Sequence, residues 1–189
     1  MKMLVGMLIL LLGVAAAAAE PPSLAARLDE VARIASIMVD GDVCERIVTK
    51  RARERLLNVD PRDQWAAADN FDVDHPSYIL IKKTLIRLGR LGPAHTDVNL
   101  WMPVDGSNER VHILIRNANE ISQFWKWGDL HQAATPDMKE LLRTGKRRTV
   151  VGQNGFVSVI APVSNSLGDI VGFVEVVSQT NYDPGGNVK

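Results

Sequence analysis

The spacing of the apolar residues changes once, at about residue 97. Before it they recur every three or four positions; after it they mostly alternate. Leu24, Leu28, Val31, Ala35 and Met38 make the first helical stripe, with Arg27, Glu30 and Arg33 between them and Ser23 set as N-cap. Gly41-Asp42 interrupts it. Val43, Ile47 and Leu57 then carry a second helical stretch bearing Lys50, Arg51, Arg53 and Arg55; Glu45 and Glu54 beside them make this a solvated face rather than an anion site. Asn58 to Asp74 is acidic, is broken by Pro61, and reads as a loop. Asp74 is set to cap a third helix with Pro76 in its first turn and Tyr78, Ile81, Leu85 and Leu88 as its buried stripe. Gly89 and Gly92-Pro93 end it.

After the change of period, Val98–Val104 and Val111–Arg116 alternate around Asp105-Gly106-Ser107-Asn108, a β-hairpin with a loop longer than the minimum. Asn117–His131 is irregular and holds Phe124, Trp125 and Trp127. Thr135-Pro136-Asp137 opens a short helix that ends near Gly145. Three strands, Arg148–Val151, Phe156–Val163 and Ile170–Ser178, close the chain, joined by Gly152–Gly155 and Ser164–Asp169. Helices followed by strands predict an α+β fold with an antiparallel sheet. Residues on both alternating sets of Phe156–Val163 are apolar, so both faces of the sheet need cover. The N-terminal helix covers one and the Asn117–Thr149 segment the other, with an enclosed space between sheet and cap.

Composition removes several functions. Lys plus Arg and Asp plus Glu tie at 22, so no basic surface recommends nucleic acid as a partner. A hydrophobic share of 46% against 23% charged is that of a globular chain rather than a disordered one. One cysteine, Cys44, excludes an internal disulfide framework; it is either a buried small hydrophobe or a link between two chains. Lys2, the apolar run Met3–Val14 and the alanines to Ala19 have the form of a secretory signal peptide. The expected organisation is therefore residues 1–19 as a cleaved signal, 20–178 as one domain and 179–189 as a flexible tail, with a periplasmic or secreted product. An uncleaved anchor over residues 3–19 is the alternative, since that run is just long enough to span a bilayer.

Met38–Arg46 after an amphipathic helix, Asp74-His-Pro-Ser-Tyr78 opening another, and Val98-Asn-Leu-Trp101 before Asp105-Gly106 together resemble Cache domains. So does the ending Ser158–Val163 with Gly168–Val176. Cache domains are extracytoplasmic PAS-like sensor modules of bacterial receptors, and the resemblance, of the single-Cache type, spans roughly residues 24–178. It implies a five- or six-stranded antiparallel sheet, a long N-terminal helix behind it, and a small ligand under a loop-and-helix cap on the opposite face. The ligands it implies are amino acids, carboxylates or similar metabolites, held by aromatic and charged residues of the central strands and cap. Receptor Cache domains are normally followed by a membrane helix and an output domain. This sequence shows neither after the sensor region, so the expectation is a sensor that relays its state to a separate partner.

Alternation in the hairpin puts Val98, Leu100 and Met102 on one face, and Val111, Ile113 and Ile115 together. The opposite sets are Asn99, Trp101 and Pro103 with His112, Leu114 and Arg116. A mixture of Trp, His and Arg in an apolar sheet suits a small-molecule pocket. Trp101 either stacks on a ligand or fills the core. Arg116 either grips a carboxylate in a bidentate pair or is a structurally paired arginine. Trp125 and Trp127 belong to the cap. Glu175 binds an amine, pairs with Arg116, or sits on an exposed edge. His112 is a structural histidine or a ligand contact.

Metal and nucleophilic chemistry find no motif. The four histidines are scattered, Asp69–Asp74 lacks the glycine and distal glutamate of a calcium loop, and there is no nucleophile elbow or phosphate cradle. The expectation is a binding protein without cofactor or catalysis, with dimerisation or a receptor partner through the N-terminal helices. Two rivals stand beside it: an interaction module whose pocket space is filled by tryptophans, and a small periplasmic enzyme built on a pair such as His112 with Glu175.

Overall fold

The computed structural model of the chain describes residues 22–58, 74–104, 106–126 and 128–180. The expected signal at residues 1–19, most of the expected loop at 58–74, Trp127 and most of the expected tail at 179–189 lie outside the described residues. Among the described residues five helices and six strands follow in the order α1 (Leu24–Met38), α2 (Gly41–Ile47), α3 (Lys50–Asn58), α4 (Pro76–Gly89), β1 (Asp97–Pro103), β2 (Arg110–Ile115), β3 (Gln132–Ala133), α5 (Pro136–Thr144), β4 (Arg148–Val151), β5 (Phe156–Ser164) and β6 (Ile170–Gln179). Among the described residues no helix is long and apolar enough to cross a membrane.

The strands form one curled antiparallel sheet in the order β3-β2-β1-β6-β5-β4. The last strand therefore lies between the first strand and β5, at the middle of the sheet. The α+β class and the antiparallel sheet expected from the change of period are present, and Gln132–Ala133 adds a short edge strand that alternation over two residues cannot announce.

Side-chain alternation divides the core in two. Leu28, Val31, Ala32 and Ala35 of α1 meet Val159, Ala161 and Val163 of β5 and Val174 and Val176 of β6. On the same face α4 lays Ile81, Leu85 and Leu88 against β1, where Val98 and Leu100 point toward it. Each such aliphatic side chain contributes about 1.5–3 kcal/mol when fully buried. On the other face α5 brings Met138, Leu141 and Leu142 onto Trp101, Ile160 and Phe173. Thr135 caps α5 by accepting from the Met138 N–H, and Gly145, at φ 69°, ends it in the left-handed conformation that glycine adopts without strain.

The helical stretches differ from the expected ones in detail. The basic stretch after Gly41 is two helices, because Thr49 turns the chain and its hydroxyl caps α3 at the Ala52 N–H. Ala52 and Leu56 are buried there, whereas Leu57 is 39% exposed; Met38 likewise faces outward at the end of α1. Asp74 does not cap α4: His75 does, its Nδ1 accepting from the Ser77 N–H at 3.2 Å. Gly41 is required by packing, since a Cβ there would lie 2.4 Å from the Ser164 carbonyl oxygen. Next to it the Asp42 carboxylate accepts from the Ser166 N–H and hydroxyl, which fastens α2 to the β5–β6 turn.

Candidate functional site

One extra residue in β2 decides which side chains share a face. Leu100 pairs with Ile115 but Trp101 pairs with Ile113, so Leu114 is a bulge. Beyond it the faces exchange. Val111 and Ile113 join Trp101, while His112, opposite Met102, falls on the helix-covered side. The expected grouping of His112 with Trp101 is thus corrected. Burial, with smaller contributions from His131 and Arg53 in the same direction, pushes the His112 imidazole down to about 4, so it is neutral at neutral pH. His112 and Glu175 lie on opposite faces of the sheet and form no titratable pair.

Trp101 is 1% exposed and lies parallel to Phe173, with ring centroids 6.1 Å apart, and edge-on to Phe124 at 6.4 Å. Its indole N–H donates to Glu175 Oε2 at 3.1 Å. Of the two roles open to it, core filling describes its surroundings.

Glu175 is the hub of the roofed face. It is fully buried on an inner strand, so the exposed-edge reading is corrected. Five donors converge on its carboxyl: Asn99 Nδ2 at 3.3 Å, Trp101 Nε1, the Ser122 hydroxyl at 2.7 Å, the Gln123 main-chain N–H at 2.7 Å and the Ser158 hydroxyl at 3.2 Å. Burial raises its pKa against the opposing pull of the hydrogen bonds from Ser122, Gln123, Trp101 and Asn99. Arg116 is not among its partners, which corrects the expected Glu175–Arg116 pair.

The segment over this face is held in an unusual way. The Asn117 N–H donates to Asn99 Oδ1, those of Asn119 and Ile121 to the two Asp97 oxygens, and that of Gln123 to Glu175. Every second N–H from 117 to 123 is therefore taken by a side chain rising from β1 or β6. The segment is a strap fastened to the sheet by side chains rather than by a main-chain ladder.

Arg116 stands where β2 ends and the strap begins. Its guanidinium lies 4.2 Å from the centroid of the Trp125 ring, and its Nη1 donates to Glu120 Oε2 at 3.1 Å. The Lys82 ammonium of α4 donates to the Arg116 carbonyl oxygen. Burial and, after it, the Arg116 charge hold the Lys82 pKa below its ordinary value. Tyr78, one turn away on α4, is pushed up by burial, with Arg116 acting in the opposite direction. Arg116 and Trp125 thus come together at the rim of the roofed face, apart from Glu175. A guanidinium placed over an indole face can still offer N–H groups to a carboxylate, as Nη1 does to Glu120.

Two open clefts adjoin the strap. One, about 540 Å³, is lined by Gln123, Phe156 and the β4–β5 turn; the other, about 390 Å³, lies between the end of α4 and residues 117–119. Among the described residues no group of three or more His, Cys, Asp or Glu side chains is placed to hold a metal. Asp97, Glu120, Ser122 and Gln123 were not anticipated. Only the lone acid in the apolar β6 run and the asparagine beside Trp101 hinted at the network they complete. Compared with known protein families and with curated proteins, the chain matches none.

Proposed function

We propose that this protein is an exported small-molecule-binding sensory module of the PAS-like, Cache type, which takes a metabolite at the roofed face and relays its state to a separate partner. Support for the architecture comes from the strand order β2-β1-β6-β5-β4, with helices against one face and the strap and α5 against the other. The observation that carries the ligand-binding reading is the Arg116 guanidinium over the Trp125 ring at the rim of that face, joined by the strap to the buried Glu175 hub. Ligand capture there would bias how the strap sits on the sheet, by as much as the ligand's affinity differs between the two settings. Helices α1 and α4, with Ile37 and Leu80 exposed, are the surface for a homodimer or receptor.

A second reading, an interaction module without a ligand, is favoured by the filled centre of the roofed face, where Trp101, Phe173 and Phe124 pack together. A thermal-shift panel of amino acids, organic acids and amines on the full chain separates the two. A bound compound at a hundredfold excess over its Kd stabilises by about 2.7 kcal/mol. Arg116→Ala should abolish that shift and leave the unliganded melting point nearly unchanged. A panel that stabilises nothing would transfer the conclusion to the interaction module.

A further inference from the structure

We infer that Glu120 is a tethered carboxylate that occupies, on Arg116, the place of an acidic ligand, so that the site is self-capped and opens when an external carboxylate displaces it. The inference rests on the ligand-binding reading above and adds its regulation. Its basis is the geometry of the strap. Asn119 and Ile121, on either side of Glu120, are both held on the buried Asp97 carboxylate. Glu120 between them has φ 56°, a left-handed backbone that a residue with a Cβ adopts at a cost of about 1 kcal/mol. The strap therefore imposes the conformation on this position, and the side chain meets Arg116 at 3.1 Å.

The two partners are unequal. The Arg116 guanidinium lies over the Trp125 ring, its main chain is held by Lys82 on the carbonyl, and its side chain is 28% exposed; that of Glu120 is 58% exposed. Displacement then moves the glutamate into water and leaves the guanidinium where it is. An ion pair so open to solvent is weak and exchangeable, which suits a cap and not a structural bond. The incoming group must be an anion able to accept from the same N–H edge, and a carboxylate is the match because it reproduces what Glu120 supplies.

The test is calorimetric titration of the full-length protein with acetate, lactate and succinate at matched ionic strength, on wild type, Glu120→Gln, Arg116→Gln and the double variant. Removing the internal competitor should tighten at least one carboxylate by about fivefold, the ceiling for an exposed pair. Arg116→Gln should lose that binding in both backgrounds, and Trp125 emission should shift on titration in Glu120→Gln. Equal affinity in wild type and Glu120→Gln would overturn the inference, as would carboxylate binding that survives Arg116→Gln. If the thermal-shift panel finds an amine or neutral ligand while Glu120→Gln takes none of the three carboxylates, the inference falls and the ligand-binding reading stands. If neither protein takes any compound, both fall.

Discussion

The main-chain N–H of Gln123 donates to Oε1 of Glu175 at 2.7 Å, fastening the strap to the strand at the middle of the sheet. The carboxyl that accepts it is met by three N–H donors and by the Ser122 and Ser158 hydroxyls, which can donate or accept, and that sets the consequence of changing it.

Glu175→Gln keeps the shape but replaces one acceptor oxygen with a donor. An amide nitrogen at Oε2 faces the Asn99 amide and the Trp101 N–H; at Oε1 it faces the Gln123 N–H. Either orientation leaves a buried donor against a donor, at about 2 kcal/mol. Urea denaturation should show that loss, and proteolysis within residues 117–126 should quicken before the global transition. Unchanged stability would mean the hub is not what holds the strap.

Two buried groups give stability opposite pH dependences. His112, held down to about 4 against an ordinary 6.5, adds stability that is complete above 6.5 and disappears as pH falls through that window. The size is about 3 kcal/mol from the width of the shift. Glu175, shifted upward, adds stability that is complete below the ordinary carboxylate value and disappears as pH rises through its folded value. His112→Gln should flatten the acid side of a stability-against-pH curve, and Glu175→Gln the side above the carboxylate range. An acid limb left intact in His112→Gln would mean that the imidazole is not the group whose burial resists protonation.

Cys44 of α2 is buried in the core shared by α1, α4 and the sheet, and burial, with the Asp40 charge, pushes its thiol up to about 12. Thiolate is the reactive form, so a thiol reagent at neutral pH should label the folded protein only as fast as the chain unfolds. Rapid labelling under native conditions, or a disulfide-linked dimer through Cys44, would refute this.

Gly41→Ala forces the Ser164 carbonyl to give way, because the contact is with backbone rather than with a flexible side chain. The expected cost is about 1–3 kcal/mol, as for other overpacked sites, read as a lowered denaturation midpoint with an unchanged slope.

The helices were legible because a stripe recurring every three or four residues buries one side of a helix and would scatter over both sides of a strand. Helices α1, α4 and α5 begin or end at the signalled Ser23, Gly89 and Gly145 or beside them. The strands were legible from alternation and turn residues. Leu114 shows what alternation cannot carry. In sequence Val111, Ile113 and Ile115 continue one apolar set, yet the bulge moves Ile115 to the other face. Apolar residues on both sides of the sheet leave no mark of such a shift. The site was half visible for a related reason. Arg116, Trp125 and Glu175 stand out as side-chain types, but the strap that relates them is irregular backbone, and its pattern of alternate N–H groups depends on where Asn99, Asp97 and Glu175 stand in space.

Because side chains supply the acceptors beneath residues 117–123, the ladders that join β1, β5 and β6 make no use of that segment. Lifting it would unzip a row of contacts one tooth at a time and leave the sheet whole. The molecule can thus loosen its lid locally without approaching the global melt, because what gives way first is held by side chains alone.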